Sequence, residues 1–392
     1  MLIRNGINSF SKVKDLSSED KAALLLWLAV AIGLVIDSLY FPGGSVVFNY
    51  LDGANRWLDN TSLYAGPEGY LYLPQFAMLF SFLPAHLAYT ETVWNLIQLI
   101  VLVSSLFFFS RIVAKPNEKS FFLILSVVML IISFTTFRNG QATIIQVGIM
   151  LWTVITIINK QWGVTAFLLI AGLIAKPVFL IFFLLVAFFY FKLWWRVLIG
   201  FAFAFCIPVL LKGYDYTLEQ HIGFITMLQQ ALSFGESGYK TNWAHFFAIF
   251  PQVFDFWVPS SIQLVSRIVI GIVLLYALYF SRKHHSITMA GYYLYAFSAC
   301  YLLLFNPRTE TNSFALIAPA IGYWLAVFTY RCPNIKHQLF IGALVLSFPF
   351  AKYVQLITPG MWAWGKTVIT LVFCIFLIKE LTKKSTNSLI TS

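Results

Sequence analysis

The chain has 392 residues, of which 60% are hydrophobic and only 10% charged, with a formal net charge of +11. Soluble domains carry about 25% charged residues, so a soluble fold of this length has too little polar surface to cover its core. The basic residues fall in short clusters between apolar runs, which is the pattern of cytoplasmic loops in a membrane protein and not of a nucleic-acid-binding face.

In hydrocarbon every backbone polar group must be paired within the segment, so the spans are helices or a closed barrel. The apolar runs here are continuous rather than alternating, which selects helices over barrel strands. The expected fold class is all-α, a polytopic bundle forming one integral membrane domain with about twelve spans, a full crossing taking roughly 20 residues. In chain order they cover residues 21–41, 92–113, 121–137, 142–158, 162–175, 178–191, 197–211, 261–279, 287–305, 314–330, 339–354 and 367–381. The segment 1–20 is polar and basic, with no cleavable signal, so the first apolar run is expected to stay as an anchor. Cys206, Cys300, Cys332 and Cys374 show no metal-type spacing, and no cofactor motif is present.

Residues 73–88 are apolar but carry Pro74 and Pro84. If this segment crossed, the clusters at Lys115 and Lys119, Arg282 and Lys283, and Lys379 to Lys384 would all lie outside. If it lies in the interface, those clusters fall inside, together with Arg4, Lys160, Lys192, Arg196 and Arg331. The positive-inside rule favours the second arrangement, with 73–88 an interfacial or re-entrant helix. Both termini, 1–20 and 382–392, are then cytoplasmic.

That choice gathers the unusual polar segments outside. The first outside loop, 42–91, opens with an amphipathic helix over 45–60, where Tyr50, Ala54, Trp57 and Leu58 share a face. Asp52 and Arg56 form an i,i+4 pair. One reading is a solvated interfacial helix with an aromatic belt. The other makes Asp52 a general base beside the membrane. The turn Arg138-Asn139-Gly140-Gln141 puts an Arg where it is costly unless paired or solvated. Lys176-Pro177 ends an apolar run; the Lys either snorkels or serves as a point charge for phosphate. The run Asn306-Pro307-Arg308-Thr309-Glu310-Thr311-Asn312 is polar throughout. There Arg308 either pairs with Glu310 or binds a phosphate bidentately. The second long outside loop, 213–260, contains Lys240-Thr241-Asn242-Trp243.

The order of these features resembles the polyprenol-phosphate-sugar-dependent glycosyltransferases of the GT-C fold, and most of all the bacterial mannosyltransferases of glycosyltransferase family 87. The resemblance rests on the basic N-terminus, the outside amphipathic helix, Tyr70-Leu71-Tyr72-Leu73-Pro74, the Arg-Asn-Gly-Gln turn and Ala175-Lys176-Pro177. It covers residues 45–196, and more loosely the rest. It implies interfacial helices in the first outside loop, a polyprenyl-phosphate sugar donor, a lipid or glycan acceptor, and a multi-pass place in a bacterial inner membrane. It also implies an acidic base in that loop. Counting back from Leu63-Tyr64, the family's acidic position falls near Val46, and Asp52, about two helical turns later, is the nearest carboxylate.

The expected function is therefore transfer of a hexose, such as mannose, to an acceptor hydroxyl on the outer face, with no cofactor. Asp52 is the expected base, and Arg138, Lys176 and Arg308 are the expected phosphate ligands. Tyr72, Asn139, Gln141, Glu310 and Asn242 are expected to contact substrate. A transporter or flippase of a lipid-linked sugar is the second reading. It is weakened by the lack of an internal repeat and of mid-membrane charges. A non-catalytic assembly partner is the third, which the density of polar outside loops disfavours.

Overall fold

A computed structural model of the chain describes residues 16–41, 43–65, 70–233, 243–354 and 361–383. Among them are sixteen α-helices and no strand. They are α1 Ser18–Tyr40, α2 Val47–Leu58, α3 Pro74–Phe80, α4 Leu87–Val113, α5 Phe121–Arg138, α6 Thr143–Ile158, α7 Trp162–Ala175 and α8 Leu180–Phe189. The second half holds α9 Trp194–Lys212, α10 Tyr214–Ser233, α11 Ile249–Val253, α12 Ser260–His284, α13 Ile287–Phe305, α14 Ala318–Tyr330, α15 Ile335–Val354 and α16 Met361–Thr382. Short 3-10 turns lead into α8 and α14. A helix therefore lies at each position where a span was expected. Among the described residues, seven helical segments are long and apolar enough to cross a membrane.

Local chemistry sets several of the ends. Ser17 caps α1 in a reciprocal box, its hydroxyl accepting from the Asp20 N–H while the Asp20 carboxylate accepts from the Ser17 N–H, so two orphan donors of the first turn are satisfied. Ser286 caps α13 by accepting from Met289 N. Gly140 sits at φ 62, and a Cβ there would lie 2.7 Å from Val47 Cγ2. Only glycine fits both that backbone and that approach.

Side-chain contacts sort the connections into two levels. At the lower level Asp20 pairs with Arg111 at 2.6 Å, and Glu118 pairs with Arg331 in a buried bridge of 2.6 Å. Arg282 donates to the Phe189 carbonyl, and His285 contacts the Leu381 carbonyl. At the upper level Val46 donates to the Asn139 carbonyl and Lys176 to Thr143. Thr136 donates to the Asn312 carbonyl, and Thr367 to the Ala244 carbonyl. The long apolar helices run between these two levels. The segments holding α13 and α14 are the most enclosed, 83% buried over the apolar window, whereas those holding α1, α9 and α12 are 17% buried. The centre of the bundle is thus α13 and α14, and the outer helices turn apolar faces outward. That surface suits lipid.

The segment 73–88 differs in extent from the expectation. Its helix is only seven residues, Pro74–Phe80, about 10 Å of rise. It packs at the upper level against Tyr50, Trp94, Ala142 and Ala175 in one buried cluster. Its fastening has a specific cause. Pro208 inside α9 has no N–H for the Ala204 carbonyl four residues earlier, and Gln75 Nε2 donates to that carbonyl at 3.1 Å. Leu58 leaves the buried face of α2, being 54% exposed, while Tyr50, Ala54 and Trp57 are buried.

The loop expected over 213–260 contains a helix of 20 residues, α10. It buries Thr217, Gln220, Phe224 and Met227 and exposes Ile222, Ile225 and Leu228. Gln220 accepts from Leu63 N at 2.8 Å, which ties α10 to the first upper connection.

Candidate functional site

The upper connections converge on one polar network. Gln141, in the Gly140 turn, donates from Nε2 to Glu310 Oε2 at 2.5 Å. The Thr143 hydroxyl lies 3.4 Å from Gln141 Oε1. Lys176, at the break after α7, donates from Nζ to Thr143 Oγ1 at 2.8 Å. Next to Gln141, Ala142 N donates to Tyr50 OH at 3.2 Å, and Tyr50 OH meets Tyr72 OH at 2.9 Å. Four segments widely separated in sequence thus supply Tyr50, Tyr72, Gln141, Lys176 and Glu310.

The electrostatics follow from that packing. Burial lowers the pKa of Lys176 below its ordinary value, and the Glu310 carboxylate opposes the shift. Arg308 is displaced downward for the same reason, again opposed by Glu310. The Arg308 guanidinium lies 5.1 Å from the Trp243 ring centre, a cation–π contact that leaves its fork of donors unspent on a carboxylate. Burial pushes the Tyr50 phenol up to about 12 and raises the Tyr72 phenol further, so both stay neutral donors. Among the described residues the ion pairs lie elsewhere. Lys176 and Arg308 therefore face one carboxylate, Glu310, without either being locked to it.

Directly beneath Lys176 an apolar groove opens. Its volume is about 730 Å³. Gln75, Phe76 and Trp94 line its upper end, and Ile174 and Ala175 of α7 lead it to the network. Gly200 sets its width, because a Cβ there would lie 2.1 Å from Ile170 Cδ1.

Of the expected site residues, Tyr72, Gln141, Lys176, Arg308 and Glu310 come together. Asn139 enters through its backbone carbonyl, which accepts from Val46 N at 3.0 Å. Arg138 stands apart, 66% exposed and 3.5 Å from Asp37. Asp52 also stands apart, 58% exposed and paired with Arg56 at 2.9 Å. It lies two residues from Tyr50 and so about 200° around the helix from it. Asn242, with Glu68, Glu236 and Lys240, lies outside the described residues.

Three contributors escaped the sequence. Tyr50 was assigned only to an apolar face, Thr143 sat inside an apolar run, and Glu91 stood at a span boundary. Glu91 is buried and accepts from Ser45 Oγ at 2.6 Å, bracing the entry to α2. Among the described residues no group of three or more His, Cys, Asp or Glu is placed to hold a metal ion. In comparisons with known proteins, no family model matches the chain, and neither does any curated protein.

Proposed function

We propose that this helical membrane protein is a glycosyltransferase that moves a hexose from a polyprenyl-phosphate sugar to an acceptor hydroxyl at the upper face. The observation that carries the reading is Lys176 and Arg308, both beside Glu310 and without an ion-pair partner among the described residues, with Lys176 directly following Ala175 at the upper end of an apolar groove. A cation next to the end of a lipid-sized groove, with a second across the same carboxylate, suits a lipid with an anionic head. In this reading the GT-C likeness supplies the twelve-span arrangement, with α3 as an interfacial helix. The basic clusters of the lower level make that face cytoplasmic and the upper face external.

The chemistry requires a base and a stabilised leaving group. Glu310 takes the proton from the acceptor hydroxyl, and the acceptor oxygen bonds to the anomeric carbon. The bond from that carbon to the phosphate oxygen breaks, and its electron pair leaves with the phosphate. Lys176 and Arg308 hold the resulting negative charge. Glu310 replaces Asp52 as the base in this proposal because Asp52 is exposed and held by Arg56, whereas Glu310 lies beside both cations. The donor sugar rests against Tyr72 and Gln141.

The test is transfer from a radiolabelled polyprenyl-phosphate hexose by purified protein in bilayers. Glu310→Gln is expected to abolish transfer, and Asp52→Asn to retain it. The reverse result returns the base to Asp52. No transfer by the wild type with any acceptor, together with movement of the intact lipid across the bilayer, supports the second reading, a flippase. That reading has one observation in its favour, the depth of the groove.

A further inference from the structure

The groove has a second end. Along α7 its lining runs from Ala175 down to Gly163, about 18 Å of helix, and along α9 from Ile207 to Trp195 and Arg196. Arg196 is the one charged residue of that lining. Its Nη1 donates to the Lys192 carbonyl at 2.5 Å, and its guanidinium lies 4.2 Å from the Trp195 ring centre. The turn carrying Lys160 comes to the same place, because Trp162 packs on Tyr190 at 5.6 Å between ring centres. Arg282 closes the group from α12, 4.7 Å from the Tyr190 ring centre.

The sequence from 158 to 196 contains no Asp or Glu. Among the described residues, none of Lys160, Lys192, Arg196 and Arg282 is in an ion pair. Both α7 and α9 begin at this level, so two helix N-termini add positive potential there. The charge is thus one-signed, and at Arg196 it joins an apolar slot without a break.

We propose that this lower end binds an anionic glycerophospholipid. Its phosphate lies on Arg196 and Lys192, and one acyl chain lies between Gly163, Ala166, Phe167 and Ile199. A free phosphate uses the cations and leaves the apolar slot unused. The tail end of a lipid held from the upper face fills the slot but offers Arg196 nothing. Only a lipid headed from this side satisfies both. The slot is the lower end of the groove that the proposed donor chain enters from above. This headgroup site involves none of Lys176, Arg308 and Glu310, and its test reads lipid retention in the absence of donor, so the two proposals fail independently.

The protein is reconstituted in phosphatidylcholine nanodiscs containing phosphatidylglycerol, re-extracted in mild detergent, and the retained lipids are counted by native mass spectrometry. Wild type is expected to retain phosphatidylglycerol over phosphatidylcholine. The double substitution Arg196→Gln with Lys192→Gln is expected to weaken that preference roughly tenfold. Gly163→Leu leaves the cations in place but plugs the slot. A Cβ there meets nothing within 4 Å, so the helix tolerates it, and retention is expected to fall. Lys336→Gln, on α15 away from α7 and α9, is expected to behave as wild type. The proposal is overturned by unchanged retention in either groove variant, by equal loss in Lys336→Gln, or by displacement with millimolar inorganic phosphate.

Discussion

Gln141 and Glu310, 169 residues apart in sequence, are joined by a hydrogen bond of 2.5 Å from the amide nitrogen to the carboxylate. This bond fastens the turn after α5 to the connection after α13. It also fixes the carboxylate beside Lys176, because Thr143 links Gln141 to the ammonium. Gln141→Leu removes the donor and leaves the carboxylate free to turn. The expected stability cost is about 1 kcal/mol, whereas transfer falls roughly a hundredfold, since misplacement of about 1 Å has that effect. Gln141→Glu sets two carboxylates side by side and is expected to be worse in both respects. Transfer rate and thermal unfolding measured on the same samples separate the two effects. Equal, small losses in both would show that the bond is only structural.

Lys176 gives a pH signature whose sign differs for binding and for folding. Burial lowers its pKa in the folded chain. Between that lowered value and the ordinary value of the unfolded chain, the unfolded state binds more protons, so this group's contribution to stability rises with pH. On the proposed function, donor binding needs the ammonium and weakens over the same window. The expected result is a donor KM that rises on the alkaline side with no matching loss of thermal stability from this group. Lys176→Arg keeps its charge and is expected to flatten the KM profile, even if its baseline is raised. An alkaline rise that persists in Lys176→Arg would place the titrating group elsewhere.

Gln75 and Pro208 make a coupled pair. The proline leaves the Ala204 carbonyl without its helical donor, and Gln75 supplies one at 3.1 Å. Gln75 also meets the His221 ring at 2.9 Å, so its amide ties α3 to both α9 and α10. Gln75→Leu strands a partly buried carbonyl and is expected to cost about 1 kcal/mol. Pro208→Ala restores an N–H to α9 and is expected to shrink that cost in the double variant. Non-additivity in thermal or denaturant unfolding is the measurement. Strict additivity would mean that the Ala204 carbonyl is not what Gln75 serves.

Much of this architecture was visible in the sequence for a physical reason. Continuous apolar runs leave a helix as their only paired state in lipid, so the positions of α4, α5, α12 and α13 followed from composition alone. The failures share a different cause. In α10 the buried face mixes the polar residues Thr217 and Gln220 with Phe224 and Met227, while Ile222, Ile225 and Leu228 point outward, so a search for an apolar inner stripe does not single out that face. Lys176, Arg308 and Glu310 each stood out as polar residues between apolar runs. Their meeting did not, because Gln141 reaches Glu310 only through tertiary packing. Asp52 and Tyr50 lay in one short helix, and composition did not say which side of it would face the cations.

The groove supplies the last prediction, because on the proposed function it would make donor affinity depend on chain length. Ala171 lines it midway along α7, below the network at Lys176 and above Gly163. Ala171→Phe obstructs the slot without touching Lys176, Arg308 or Glu310. A buried methylene contributes about 0.8 kcal/mol, so losing even two of them raises KM roughly tenfold. The expected outcome is a raised KM for a long-chain polyprenyl donor and an unchanged KM for a one-isoprene analogue, with kcat unchanged for both. A similar rise for both donors would show that the substitution disturbs the headgroup region. No rise for either would show that the lipid chain takes another path along the bundle.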